Sequence, residues 1–212
     1  MATMGYSPVP FTWGPDLVES IDREPLATTI SGLFHDFPYD RLPTNPAVAI
    51  WMRPEFVFLS IVFYFASIPA LRFVIERTVG YSYICNSDVF RNFVAVHNLA
   101  LAIFSGVCAW NVWLICLSSA TQTTFMTAHC DVGGVLWKNH KLGPWIFAFY
   151  ISKYYEWIDT WILIAKGKDA SFLQTYHPAG IVLSYWAGTS SHASWMLTAT
   201  LLNATIHTMM YT

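Results

Sequence analysis

Four polar residues inside an apolar stretch are the first feature of the sequence that could do chemistry. Lys153, Glu156, Asp159 and Thr160 lie within residues 143–165, GPWIFAFYISKYYEWIDTWILIA. On a helix, Lys153, Glu156 and Thr160 share one face, and Asp159 flanks that face. Charged groups in the bilayer core cost at least about 2.5 kcal/mol each, so they should pair or line a cavity. An ion pair that holds helices in register is one interpretation. Three ionisable groups in seven residues exceed that need, so we favour a functional polar cavity.

Histidines form a second candidate set. Of the seven histidines, His97, His177 and His207 adjoin or lie within apolar stretches. A membrane histidine commonly hydrogen-bonds a neighbouring helix. We favour that role for His97, which precedes Asn98, and expect His97→Ala to leave activity largely intact. For His177 and His207 the catalytic role stays equally open, because two imidazoles at one depth could supply a nucleophile and a proton carrier.

The composition indicates which elements position these residues. Only 11% of the 212 residues are charged and 55% are apolar, whereas soluble domains carry about 25% charged residues. We therefore predict an all-α, polytopic integral membrane helix bundle in contact with the lipid bilayer. The net charge of −2 argues against nucleic acid as a partner.

The apolar segments predict about five membrane spans, which follow an extramembrane N-terminal arm at residues 1–50. Within the predicted membrane domain, 51–212, the segments are 56–75, 93–117, 143–165, 178–188 and 193–211. We predict a loop, partly re-entrant, between the second and third spans, at 118–142. Lysines and arginines near the span ends place the end at 166–168 on the cytoplasmic side. The alternation of spans then puts His177, just before the fourth segment, on the same side as His207.

Other site types have little support in the sequence. The histidines form no HxxxH, HxxH or HH pair, so we expect no metal site. The sequence also lacks a G-x-S-x-G nucleophile elbow and a glycine-rich phosphate loop.

Three stretches, SKYYEWIDT, FLQTYHP and LLNATIHTMMY, resemble motifs of the ELO family of very-long-chain fatty acid elongases. That family carries K-x-x-E-x-x-D-T, H-x-x-H-H and N-x-x-x-H-x-x-M-Y in this order, and the resemblance covers roughly residues 55–212. The first motif is complete, and so is the third, through Asn203, His207, Met210 and Tyr211.

The middle motif departs from the family pattern. Gln174 and Pro178 stand in place of the first and third histidines and leave only His177. A glutamine at the first position resembles the box of family members that act on polyunsaturated acyl chains. The family fold has seven spans, six of them around an acyl tunnel, so we expect this chain to be incomplete at its C-terminus.

The resemblance implies a condensing enzyme of the endoplasmic reticulum membrane, which extends a long-chain acyl-CoA by two carbons from malonyl-CoA without a cofactor. His177 would accept the acyl group and His207 would handle protons. The remaining catalytic candidates are Lys153, Glu156 and Asp159. The candidate substrate contacts are Gln174, Thr160, Asn203, Tyr211, Lys166 and Lys168.

Two alternatives stay open. Lys166 and Lys168 either bind the phosphates of CoA or anchor the end of a span. The protein is either an elongase, with the reductases and dehydratase of the elongation cycle as further partners, or a catalytically silent relative that binds lipids or proteins.

Overall fold

The computed structural model describes residues 45–122, 137 and 142–212. It divides the chain into two compact units, residues 1–62 and 63–212. All regular secondary structure in the described part of the chain is helical, and the prediction of an all-α membrane helix bundle is confirmed. The predicted N-terminal arm lies mostly outside the described residues.

In the first unit, the flanking residues determine where a short helix begins and ends. Helix α1 is Pro46–Met52, and Asn45 caps it by accepting the Ala47 N–H at 3.0 Å. Arg53 has extended backbone, as expected for a residue before proline, so it separates α1 from α2, which begins at Pro54.

Seven helices of the described residues begin or continue in the second unit. They are α2 (Pro54–Arg77), α3 (Tyr81–Asn86), α4 (Asp88–Gln122), α5 (Leu142–Tyr155), α6 (Trp157–Ala165), α7 (Phe172–Ser190) and α8 (Trp195–Tyr211). Helices α2 and α4 are long and apolar enough to cross a membrane, in agreement with the first two predicted spans. Residues 118–122 complete α4, so the predicted loop begins later than 118, and most of it lies outside the described residues.

The third predicted span is not one continuous helix. It is interrupted at Glu156, where α5 ends and α6 begins. The Glu156 N–H still donates to Ser152 at 2.9 Å, whereas the Glu156 carbonyl accepts from Asp159, three residues on, at 3.0 Å. This local tightening, of the 3₁₀ type, lies at the centre of the K-x-x-E-x-x-D-T motif.

The fourth predicted span was too short. Helix α7 begins at Phe172 rather than residue 178 and has 19 residues, or about 28 Å of helix. Ser171 accepts the Gln174 N–H, and the Gln174 side chain accepts the Ser171 N–H at 2.9 Å. This reciprocal capping box starts the helix early enough to include His177 and Pro178.

A close approach joins the far end of α7 to α8. A Cβ atom added to Gly188 would lie 2.1 Å from Met196 Sδ, and Met196 is fully buried. A larger residue at 188 would therefore require the buried Met196 side chain to move. Helix α8 also packs extensively against α4.

Gly167 ends α6. Its φ of +70° suits a residue without Cβ. The N–H groups of Gly167 and Lys168 donate to Ile164 and Leu163 at 2.8 and 3.2 Å, which is the Schellman pattern.

Candidate active site

A buried lysine lies at the centre of the polar cluster. Lys153, on α5, has no exposed surface, and its Nζ donates to Glu156 Oε1 and to Asn203 Oδ1, each at 2.8 Å. The ammonium also lies 3.9 Å from the ring centroid of Phe149, a cation–π distance. The i, i+3 spacing predicted the pair with Glu156, and the contact with Asn203 joins the first and third motifs.

His207 enters the same cluster from α8. Its Nδ1 lies 3.2 Å from Glu156 Oε1, close enough for an ion pair but without hydrogen-bond alignment. A carboxylate only accepts hydrogens, so this approach favours the proton on Nδ1 and leaves a lone pair on Nε2. An imidazole held in this way is suited to accept a proton at Nε2.

Asp159 binds two further helices. One carboxylate oxygen lies 2.8 Å from His97 Nε2 on α4, and the other accepts the Tyr211 hydroxyl on α8. The two carboxylates of the motif therefore have different partners, because Glu156 faces Lys153 and His207. Together they connect α5 and α6 to α4 and α8.

Thr160 compensates for the proline in α7. Pro178 has no N–H, so the Gln174 carbonyl one turn earlier lacks its helical donor. The Thr160 hydroxyl lies 3.3 Å from that carbonyl oxygen, and Tyr64 lies 3.0 Å from Thr160 and 3.1 Å from the Thr175 carbonyl. Neighbouring hydroxyls of this kind let membrane helices tolerate proline.

The side chains of the other predicted site residues form no hydrogen bond with the Lys153, Glu156 and His207 side chains in the described part of the chain. His177 is exposed on α7, and it forms no hydrogen bond with the described residues. Gln174 is also exposed and its side chain caps α7, so its predicted contact with substrate stays a prediction. Lys166 and Lys168 are exposed just after α6, a position that fits either of the roles left open for them.

His97 and Tyr64 are network members that the sequence analysis did not assign to the site. The expectation that His97 bonds a neighbouring helix is met, but its partner is the candidate catalytic residue Asp159. Its position before Asn98 in an apolar stretch was the available signal. Tyr64 had no comparable signal, because tyrosines are frequent throughout the chain.

The described residues contain no group of three or more His, Cys, Asp or Glu side chains placed to hold a metal ion. The cluster's own chemistry is that of a lysine, a carboxylate and an imidazole in a water-poor interior. Such groups hold and move protons and stabilise negative charge.

The fold and the cluster together define a helical membrane protein with a group of buried ionisable side chains inside its helix bundle. The model of the ELO (GNS1/SUR4) family matches residues 49–212. The chain belongs to this family.

Individual relatives support the same assignment. The chain is 30% identical to fatty acid elongase 2 of Trypanosoma cruzi over 128 residues, which cover 60% of this chain and 46% of that protein. It is 30% identical to fatty acid elongase sre1 of Dictyostelium discoideum over 159 residues, 74% of this chain and 56% of that protein. The chain thus spans about half the length of these curated relatives. No solved structure matches it.

Proposed function

We propose that the protein is a condensing enzyme of fatty acid elongation. It joins a long-chain acyl-CoA, including polyunsaturated chains, to two carbons of malonyl-CoA. The products are 3-oxoacyl-CoA, CO2 and free CoA. The observation that carries the proposal is the buried Lys153–Glu156–His207 cluster with Asn203, because it unites the first and third family motifs in one site.

In the first step, the imidazole of His177 attacks the thioester carbonyl of the acyl-CoA. The carbon–sulfur bond breaks, CoA leaves as a thiolate, and the acyl group stays on the ring. The proton that the acylated ring gives up passes to the thiolate. His177 is exposed and hydrogen-bonds no described residue, so its nitrogen is available to a substrate. Dividing the reaction in this way replaces one difficult step by two easier ones.

In the second step, the carbon–carbon bond to the carboxylate of malonyl-CoA breaks and CO2 leaves. The resulting enolate carbon attacks the acyl carbonyl, the bond to His177 breaks as that ring takes up a proton from solvent, and the 3-oxoacyl-CoA is released. Negative charge develops on the thioester oxygen of the enolate. The cationic Lys153 is the group suited to stabilise that charge, and Asn203 and Glu156 hold Lys153. His207, whose Nε2 is free to accept a proton, would handle protons during the reaction.

The substrates suggest the remaining roles. Lys166 and Lys168 lie on the exposed segment after α6, where they would bind the phosphates of CoA from the cytoplasmic side. Gln174, Thr160 and Tyr211 would contact substrate. The membrane is that of the endoplasmic reticulum, and the 3-oxo product requires the reductases and dehydratase that complete an elongation cycle.

A silent relative that binds lipid is the second candidate. Pro178 and Gln174 favour it, because they remove two of the three histidines typical of the family box. The intact Lys153–Glu156–His207 cluster favours the enzyme, since unpaired or partly paired charges inside a membrane are costly to retain without use.

The deciding experiment supplies membranes containing the protein with labelled malonyl-CoA and a panel of C16–C22 acyl-CoAs, saturated and polyunsaturated. We expect a labelled 3-oxoacyl-CoA two carbons longer than its precursor, and CO2. Extension of no acyl-CoA, with acyl-CoA still bound, would support the silent relative instead.

A matched pair of asparagine variants controls for general damage to the fold. Asn203→Ala removes the Lys153 acceptor and should lower the rate at least about tenfold, because a group that positions a catalytic side chain is lost. Asn111→Ala removes only a bond within α4, from its side chain to Val107, and should leave the rate within about twofold.

A further inference from the structure

We propose that His97 is a positioning residue of this site, which holds Asp159 and, through it, Tyr211 in the orientation that condensation needs. The catalytic part of this inference depends on the proposed function. It replaces the sequence-based expectation that His97 is dispensable.

The contact with Asp159 is buried on the histidine side. His97 is 1% exposed, and its Nε2 lies 2.8 Å from Asp159 Oδ1. Because a carboxylate only accepts hydrogens, Nε2 carries the proton in this bond. The other ring nitrogen, Nδ1, has no hydrogen-bond partner among the described residues, so the bond to Asp159 is the polar contact that fixes the ring.

Two aromatic side chains hold the imidazole plane. Phe93 stacks on it at 6.1 Å between ring centroids, and Tyr155 packs at 5.0 Å. With its ring confined on these sides, His97 presents Nε2 to Asp159 in a fixed direction.

The Asp159 side chain needs this support more than Glu156 does. It is 36% exposed, against 11% for Glu156, so packing restricts its oxygens less. Its second oxygen accepts the Tyr211 hydroxyl. Without His97, the carboxylate keeps one of these two donors and is freer to rotate, and the acceptor of Tyr211 moves with it.

Tyr211 connects this arrangement to His207. The two residues lie one turn apart on α8, with ring centroids 5.6 Å apart in an edge-to-face arrangement. Helix α8 therefore contacts the first motif at three successive turns, through Asn203 at Lys153, His207 at Glu156 and Tyr211 at Asp159. Loss of His97 should disturb the position of His207, and so the chemical step, more than substrate binding.

The kinetic test uses two variants at one position in membranes containing the whole chain. His97→Leu removes the donor and should lower kcat about tenfold with KM within about twofold. His97→Gln keeps an N–H near the Nε2 position and should restore at least about a third of the lost rate. Equal rates for Leu and wild type, or no rescue by Gln, would overturn the proposal.

Ser105→Ala is the matched control, because Ser105 lies on the same helix and is equally buried at 1%. It should change neither kcat nor KM. A loss as large as that of His97→Leu would show that any change in buried α4 impairs the enzyme, which contradicts a specific positioning role.

A second measurement does not require activity. With 3-fluorotyrosine at position 211, the ¹⁹F resonance should move in His97→Leu, return toward the wild-type position in His97→Gln, and stay in place in Ser105→Ala. An unmoved resonance in His97→Leu contradicts the positioning of Tyr211. If the wild type elongates no substrate, the proposed function fails and the catalytic part of this inference fails with it, while the resonance still decides whether His97 holds Tyr211.

Discussion

The two candidate catalytic histidines occupy opposite environments. His207 is largely buried on α8, with Glu156 at 3.2 Å and the ring of Tyr211 beside it. His177 is exposed on α7, among the residues that follow the capping box of that helix. Both positions belong to family motifs, yet only His207 has a polar partner among the residues that the structure describes.

The difference follows from what a polar group needs inside a membrane. A buried ionisable side chain requires a partner, because an unpaired one costs several kcal/mol. The chain supplies such partners to Lys153, Glu156 and His207, which ties these side chains to one another across α5 and α8. His177 keeps its polar atoms unbound to the described residues, which suits a nucleophile that must reach a substrate carbonyl.

The largest difference in stability between the buried cluster and an exposed position is expected on substitution of Lys153. Lys153→Met leaves the Glu156 carboxylate buried beside a neutral side chain and should destabilise the protein by about 3–5 kcal/mol. Thermal unfolding in detergent, followed by circular dichroism, measures the change. Lys168→Met, at an exposed lysine, should stay within about 0.5 kcal/mol. Equal stability of the two variants would contradict a structural ion pair at Lys153.

Substitution of either histidine should abolish activity, whereas the two substitutions should differ in their effect on stability. Both His177→Ala and His207→Ala should abolish elongation. Only His207→Ala should also destabilise, by about 1–3 kcal/mol, because it removes a partner of buried Glu156. His177→Ala should stay within about 0.5 kcal/mol. Unfolding and elongation measured on the same membranes test both statements, and a strongly destabilised His177→Ala would place this side chain in the folded core instead.

Two glycines test whether the two ends of α7 differ in how tightly they are packed. Gly188→Ala forces a Cβ against Met196 and should cost about 1–3 kcal/mol through overpacking. Gly180→Ala, near His177, meets no atom within 4 Å and should be neutral or stabilise the helix by up to about 1 kcal/mol. Matching losses in the two variants, in the same unfolding assay, would show that the His177 end of α7 is packed as tightly as its far end.

The smallest effect concerns Pro178 and Thr160. If Thr160 satisfies the Gln174 carbonyl that Pro178 leaves without a donor, Thr160→Val should cost about 1 kcal/mol. In a Pro178→Ala background the new N–H replaces that donor, so Thr160→Val should cost clearly less. Additive effects in this double-mutant cycle would mean that Thr160 and Pro178 act independently.

Contacts within one helix could be predicted from the sequence, whereas several contacts between helices could not. The i, i+3 spacing predicted Lys153 with Glu156, and the apolar segments predicted α2 and α4. The bond of His97 to Asp159, 62 residues apart, depends on the rotation and depth of separate helices, which a single sequence does not fix. The early start of α7 had a signal, because Ser171 and Gln174 have the S-x-x-Q spacing of a capping box, but the predicted segment began only at residue 178.

The acyl-transfer half-reaction tests most directly whether His177, and not His207, is the nucleophile. Membranes containing the protein are incubated with a labelled long-chain acyl-CoA in the absence of malonyl-CoA, and the acylated peptide is identified by mass spectrometry. We predict release of one CoA per protein molecule and an acyl group on His177 that malonyl-CoA then removes. An acyl group on His207, or CoA release unchanged by His177→Ala, would contradict the assignment of His177 as the nucleophile.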